Sequence, residues 1–577
     1  MTDADLREIP VEVRDGMRIS WDVPISMSDG TVLRADIFLP EGDGSWPVVM
    51  SYGCYAKGLS FQEAYAAQWD RMTTDFPEIM EGTSNKYQCW EVVDPERWVP
   101  DGYAVIRVDS RGAGRSEGVH DVWSMQEIWD YYECIEWAGE QSWSTGDVGL
   151  LGISYYGANQ WLVASLQPSH LKAIIPWEGT SDWYREVFYH GGIRNGFLDL
   201  WLPKQLPMQH GYGDRGRRSV ITGDTVAGPE TLSDEELAAN RVDKVEQVRA
   251  HPLADEYYSG LAPDWSKLTV PILSAANWGG QGLHLRGNIE GFTQAASSQK
   301  WLEVHGLEHW THFYTPYGVD LQKRFFDHFL RGVDNGWDRQ PVVTLQVRHI
   351  EPGSSGSIAG QFVQRSENAW PLERTEWTRY GLDAGDQTLR RGESPTEASV
   401  VEYDTTGSGV TFTGPVLDAP LEITGPLAAR LHISSSTADA DLFLVLRVLD
   451  PDGAEVVFRG AMDAHTPVAQ GWLRASHRQL DPKRSKPYRP YHPHTSRVML
   501  ELGSVYEVDV EIWPTSVVVP AGYRIALTVR GNDYTYEGAA DDGDNAAHRY
   551  PSRGVGPFVH NNPVDRNPEI FDGTVQV

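Results

Sequence analysis

The sequence predicts an α/β sheet core followed by an all-β domain, and three observations carry that reading. Short apolar runs (PVVMSY, YAVIRVD, VGLLGIS, LKAIIP, VPILSAAN and KWLEVHG) alternate with helix-like stretches, the pattern of βαβ units around a mainly parallel sheet. From about residue 341 the texture becomes alternating strands broken by Gly, Pro and Asp turns, as in VTLQVRHI, DLFLVLRVLDPDG and YRIALTVRG. The 577 residues also exceed what one hydrophobic core usually supports.

Each element follows in order. ISWDVPISM and TVLRADIFL alternate around Ser28-Asp29-Gly30 and read as a hairpin. MQEIWDYYECIEWAGEQ has apolar residues at helical spacing, with Ser124 as N-cap, and crosses between parallel strands. Residues 186–261 interrupt the rhythm. They hold no convincing buried strand, but Ser233 and Glu236 form a capping-box pattern, so the block reads as a helical cap inserted into the core. The expected division is a core in two parts, 1–185 and 262–340, around that cap, with a C-terminal jelly-roll β-sandwich over 341–577. The amphipathic run LQKRFFDHFLRG closes the core, and the polar tail after Asn532 packs as an irregular segment.

Composition narrows the function. A net charge of −32, spread along the chain, repels phosphate backbones and anionic bilayers, so neither nucleic acid nor membrane is an expected partner. Three cysteines with no C-x-x-C spacing argue against a disulfide framework or a zinc ribbon. They fit a reducing compartment. With no signal-like N-terminus and no spanning apolar stretch, the expected location is cytoplasmic. No metal-ligand spacing is present, so no cofactor is expected. The 22 tryptophans suit large cores and apolar ligand pockets alike. Homo-oligomerisation is compatible with all of this.

One motif carries chemistry. The strand VGLLGI runs into Gly152-Ile153-Ser154-Tyr155-Tyr156-Gly157, and ANQWLVASL beyond it is helical in pattern. A serine between glycines at a strand-to-helix junction is a nucleophile elbow of the α/β-hydrolase kind. The spacing is G-x-S-x-x-G, because Tyr156 occupies the usual second-glycine position. Ser154 is therefore the candidate nucleophile, and a turn serine without chemistry is the alternative. The backbone N–H of Tyr155 is the expected first oxyanion donor. A base should follow the last core strands, where WLEVHGLEHWTH offers His305, His309 and His312. The glycine-rich run 109–116 lacks the G-K-[ST] ending of a phosphate loop.

Taken with VVMSYGCYAKG (48–58), DSRGAGRSEG (109–118), PWEGTSDWYRE (176–186), VPILSAANWGGQGLH (270–284) and the segments PLEITGP and DADLFLVL, the chain resembles the CocE/NonD hydrolases, the family of cocaine esterase and X-prolyl dipeptidyl peptidases. The likeness spans nearly the whole chain. It implies a hydrolase core, a helical cap and a jelly roll, and cleavage of esters or amides through an acyl-enzyme. It places the base on His309, through the family pattern Gly-Pro-Trp-x-His, and the second oxyanion donor on the Tyr55 hydroxyl, with Tyr52 a core neighbour. It makes 109–116 a structural turn. It also exposes a departure: the family's acid falls on Gly280, which has no carboxylate. The scaffold's other address for the acid is the end of the strand after the nucleophile strand, here LKAIIP-Trp177-Glu178. Glu178 is the expected relocated acid, and Asp182 and Glu308 are its competitors.

Trp177, Trp278 and Trp310 flank these loops. With Phe188, Phe197 and Trp201 they could line an apolar substrate pocket or simply pack in cores. Three functions remain in play. The first is a serine esterase of small to medium hydrophobic esters. The second is an X-prolyl dipeptidyl peptidase or amino-acid ester and amide hydrolase, disfavoured because no acidic cluster for a free α-amino group is evident. The third is a catalytically silent ligand-binding scaffold, suggested by Gly280 alone.

Overall fold

The computed structural model describes residues 10–351, 356–357, 361–392, 397–538 and 553–577. Its core is one twisted sheet. β1 (Glu12–Arg14), β2 (Met17–Ser26) and β3 (Val32–Pro40) run antiparallel, β2 and β3 forming the hairpin about Ser28–Gly30. The sheet then turns parallel through β4 (Trp46–Gly53), β5 (Ala104–Asp109), β6 (Ser144–Ile153) and β7 (Leu171–Trp177). A short hairpin of β8 (Tyr189–His190) and β9 (Ile193–Arg194) stands apart. β10 (Ile272–Asn277) and β11 (Lys300–His305) complete the core.

Pairing gives the spatial order β1-β2-β3-β5-β4-β6-β7-β10-β11. The exchange of β4 and β5 leaves β4 and β6 side by side, so the loops after these strands open at the same edge. β5 and β10 are buried at every residue, as strands covered by helices on both faces must be. Helix α1 (Met125–Gly139) starts where Ser124 accepts the Glu127 N–H. Helix α2 (Tyr155–Ser165) follows Ser154 directly and is buried all round.

Between β7 and β10 the chain forms short helices, among them α3 (Phe197–Gln205), and the Ser233–Glu236 capping box is formed. Helix α4 (Leu285–Gln294) lies between β10 and β11, and α5 (Pro316–Arg331) ends on the left-handed Gly332.

The strand Val343–His349 joins the two halves of the molecule. It pairs parallel with β11 at one end and with Tyr506–Val519 of the β domain at the other. Beyond it, long antiparallel pairs enclose a second apolar core: Leu421–Ser435 with Tyr506–Val519, and Asp441–Leu449 with Ala469–Arg474 and Arg524–Arg530. The tail returns to this domain as the strand Thr574–Gln576, paired with Glu402–Asp404; its stretch 539–552 lies outside the described residues.

Candidate active site

Ser154 sits at φ +59° between the end of β6 and the first turn of α2, a left-handed backbone that a non-glycine residue adopts only under constraint. Its N–H donates to Trp177 O at 3.0 Å and that of Ile153 to Glu91 O at 3.0 Å, so the turn is fixed from both sides. A Cβ at Gly152 would collide with Tyr156, and one at Gly157 would stand 2.7 Å from Trp177 O. The unusual spacing follows: Gly157, one residue later than usual, is the position that meets the end of β7.

The Ser154 hydroxyl does not face His309. It faces His284, whose Nε2 lies 3.1 Å from Ser154 Oγ. Burial, and then the charge of His309, push the His284 ring well below the usual imidazole range. That shift favours the neutral ring, with Nε2 in hydrogen-bonding reach of the Ser154 hydroxyl. Its Nδ1 is buried without a partner. His309 stands in the same cleft, its ring centroid 6.2 Å from that of His284, and donates through Nε2 to Glu91 Oε1 at 2.9 Å. Although burial opposes it, the Glu91 carboxylate holds the His309 ring above its ordinary value. Burial raises Glu91 to about 7, against the pull of His309.

Glu178 does not touch His309. Its Oε1 accepts from His305 Nε2 at 2.9 Å and from Asn277 Nδ2 at 3.2 Å. The cause is local. Glu178 adopts φ +45° straight after β7, and its side chain crosses the end of β10 to the end of β11, where Asn277 and His305 pair. His309, four residues further on, has turned away toward Glu91. The competitors are engaged elsewhere: Asp182 caps Trp183–Phe188 and pairs with Arg185, while Glu308 lies 3.7 Å from Arg459. Of the other histidines, His305 is held between Glu303 and Glu178, and His312 packs edge-on against it.

Tyr55, from the loop after β4, lines the cleft and accepts a hydrogen bond from Trp201 Nε1 at 3.3 Å. Tyr52 is core, stacked on Tyr131 at 4.8 Å. The Tyr155 N–H occupies the first position of α2, where no intrahelical acceptor exists, while its hydroxyl donates to Glu127 at 2.6 Å. The Asp109–Ser116 turn is structural: Asp109 accepts from the N–H groups of Lys57 and Arg115, and Lys57 Nζ lies 3.0 Å from Asp36.

Of the three tryptophans, only Trp310 lines the cleft. Trp177 is fully buried and stacks on His305 at 5.0 Å; Trp278 is fully buried and donates to Gln346 O at 2.9 Å. Both are core: Trp177 packs on His305 and Phe313 inside the hydrolase sheet, and Trp278 belongs to the apolar cluster shared with Phe443, Trp472 and Trp513 of the β domain. Phe197 and Trp201 line the cleft as expected, and Phe188 packs against Trp123 and Trp183. The cleft, about 570 Å³ counted to its open mouth, is walled by Tyr65, Trp90, Leu283 and Met462 as well.

Sequence reasoning passed over His284, Glu91 and Met462. The one available signal was His284 itself, standing four residues after the vacant acid position. Among the described residues no cluster of His, Cys, Asp and Glu is arranged to hold a metal, and no helix is long and apolar enough to cross a membrane.

Strand order, the elbow and the serine–imidazole contact together define a serine hydrolase of the α/β-hydrolase class. Residues 29–314 match the X-Pro dipeptidyl-peptidase (S15 family) profile, and residues 335–546 match the X-Pro dipeptidyl-peptidase C-terminal non-catalytic domain. A CocE/NonD family hydrolase from Staphylococcus aureus is 32% identical and superposes with a TM-score of 0.81 over 100% of this chain and 96% of that one. The cocaine esterase of Rhodococcus sp. (strain MB1 Bresler) is 26% identical over 89% of this chain and 91% of its own. An α-amino acid ester hydrolase, 14% identical with a TM-score of 0.63 over 99% of this chain and 96% of that one, shares the fold. The chain belongs to the CocE/NonD hydrolase family.

Proposed function

We propose that the protein cleaves carboxylic esters of small to medium hydrophobic substrates through an acyl-enzyme on Ser154. The contact between Ser154 Oγ and His284 Nε2 in an aromatic-walled cleft carries the proposal. Ser154 Oγ attacks the carbonyl carbon and its proton passes to His284 Nε2. The oxyanion is received by the Tyr155 N–H, at the positive end of α2, and by the Tyr55 hydroxyl. His284 returns the proton to the departing alcohol oxygen, and water repeats the sequence to release the acid. Burial, aided by the charge of His309, favours the neutral His284 ring that a base must be. The cysteines are buried and unpaired, which fits work in a reducing compartment such as the cytoplasm.

One observation favours a second assignment of the base. His309, unlike His284, holds a carboxylate. In that arrangement His309 takes the serine proton and Glu91, not Glu178, is its acid. Turnover of an aryl ester separates the two: His284→Ala should lose roughly a thousandfold or more if His284 is the base, and His309→Ala much less. A fluorophosphonate probe should label the wild type and not Ser154→Ala; absence of labelling would revive the silent scaffold. An aryl ester compared with an Ala-Pro anilide separates esterase from dipeptidyl peptidase.

A further inference from the structure

A histidine that activates a serine must be held in one orientation, and a carboxylate on its second nitrogen usually does so. His284 has no such partner: its Nδ1 is buried and unpaired. The segment before it is pinned instead, largely by the β domain. Gly279 O accepts the Ala461 N–H at 3.1 Å. Gln281 Nε2 donates to Pro467 O at 3.0 Å and Val468 O at 3.2 Å, and its Oε1 accepts from Gln470 at 3.2 Å. Two residues before His284, Gly282 O accepts from His190 Nε2 at 2.8 Å.

That last bond ends a buried chain. His190 Nδ1 lies 2.8 Å from His560 Nε2, and His560 Nδ1 lies 2.7 Å from Asp533 Oδ1. Asp533 Oδ2 also accepts the His560 backbone N–H at 2.8 Å. Gly282 at φ +86° is pressed onto the chain; a Cβ there would meet Phe558 at 2.9 Å and the His190 ring at 3.3 Å.

Protons can be counted along this chain. A carbonyl only accepts, so the bond to Gly282 needs a proton on His190 Nε2. The nitrogen–nitrogen bond needs a second proton, and the bond to Asp533 a third. Two neutral imidazoles carry two. The chain is complete only with one added proton, neutralised by Asp533. Burial and the charge of His560 push the His190 ring down to about 3. The groups packed on the two rings are uncharged: Trp472, Trp513 and Phe558 on His190, Phe443 and Trp472 on His560, with the Asn195 amide 3.5 Å from His190. The nearby Glu186 carboxylate is turned to Arg286 and Thr180, and the charge of Asp533 is felt by Arg530.

We propose that Asp533, His560 and His190 are positioning residues that seat His284 against Ser154, so that the β domain supplies the orientation a triad carboxylate would otherwise give. The inference rests on His284 as base. Loss of the third proton opens one bond of the chain and loosens Gly282, so turnover falls as the pH rises.

Full-length variants test this with an aryl ester, from neutral to alkaline pH. His560→Ala and Asp533→Asn should lower kcat by about tenfold or more with KM little changed, the scale expected for a slightly misplaced catalytic group. In Asp533→Asn the alkaline fall should move to lower pH, since the three-proton chain has lost its carboxylate acceptor. His560→Gln keeps an N–H donor toward His190 without a titrating ring; it should recover most of kcat and lose the alkaline fall. If His560→Ala does not fold, the other two variants carry the test. Wild-type kcat and pH profile in Asp533→Asn and His560→Gln, with His284→Ala inactive, would overturn the relay alone. Full turnover in His284→Ala would overturn the assignment of the base and the relay with it.

Discussion

Replacing Glu178 by glutamine decides whether this carboxylate is catalytic or structural. Glu178, Asn277 and His305 are all completely buried. Burial alone would strip the proton from His305, but Glu303 and Glu178 outweigh it and hold the ring at about 9. In an unfolded chain a histidine titrates near 6.5. The folded state therefore binds this proton more tightly. The stabilisation, about 3 kcal/mol, is fully present below pH 6.5 and is lost as the pH rises through about 9. Glutamine preserves shape and an acceptor for His305 Nε2 but removes one of two anions. About 1–2 kcal/mol should be lost at neutral pH, and alkaline destabilisation should begin at lower pH. Turnover should change by less than about tenfold, because neither ring in the Ser154 cleft touches Glu178 and only its charge reaches His309 and Glu91. Thermal unfolding across pH, beside kcat on an aryl ester, measures both effects. A loss of two or more powers of ten in kcat with unchanged stability would refute the reasoning and return Glu178 to the catalytic site.

Two further outcomes test the rest of the cleft. Tyr55→Phe removes one oxyanion donor and leaves the ring contacts with Tyr155, Tyr156 and Trp201; kcat should fall by about a hundredfold or more with KM little changed, and a fall below threefold would place the second donor elsewhere. His309→Gln removes the cation that lowers the proton affinity of His284, so the acid limb of the kcat/KM profile should move to higher pH; an unmoved limb would show that burial alone keeps His284 neutral.

The scaffold was legible because its signals are local. The β2–β3 hairpin, the buried β5 and β10, the Ser124 cap and the elbow at Ser154 each follow from residues close together in sequence. The cleft was less legible because its contacts are long-range. Glu91 meets His309 across 218 residues and His284 meets Ser154 across 130. Glu178 shows the limit most sharply. Its place just past a strand end was read from the sequence, but its direction depends on a left-handed backbone turn that strand-end logic does not specify. The tryptophans divide the same way: composition marks them as buried, but only packing separates Trp310 on the cleft from Trp177 and Trp278 in cores.

The β domain docks on the glycine beside the vacant acid position. A Cβ at Gly279 would collide with the backbone of Gly460, and the Gly279 carbonyl is bonded to Ala461. A side chain at position 279 would lift the β domain from the loop, whereas one at position 280 would meet only Asn277 O, at 3.1 Å, and Leu285. The same β-domain segment gives its Ala461 carbonyl to the backbone N–H of His309, at 3.3 Å, and places Met462 in the cleft wall. So the turn that lacks a carboxylate admits the segment that touches His309 and anchors the approach to His284. An aspartate restored at position 280 alone should not restore a triad acid for His309, because His309 Nε2 is already held by Glu91 and its Nδ1 lies 3.4 Å from Ala461 O.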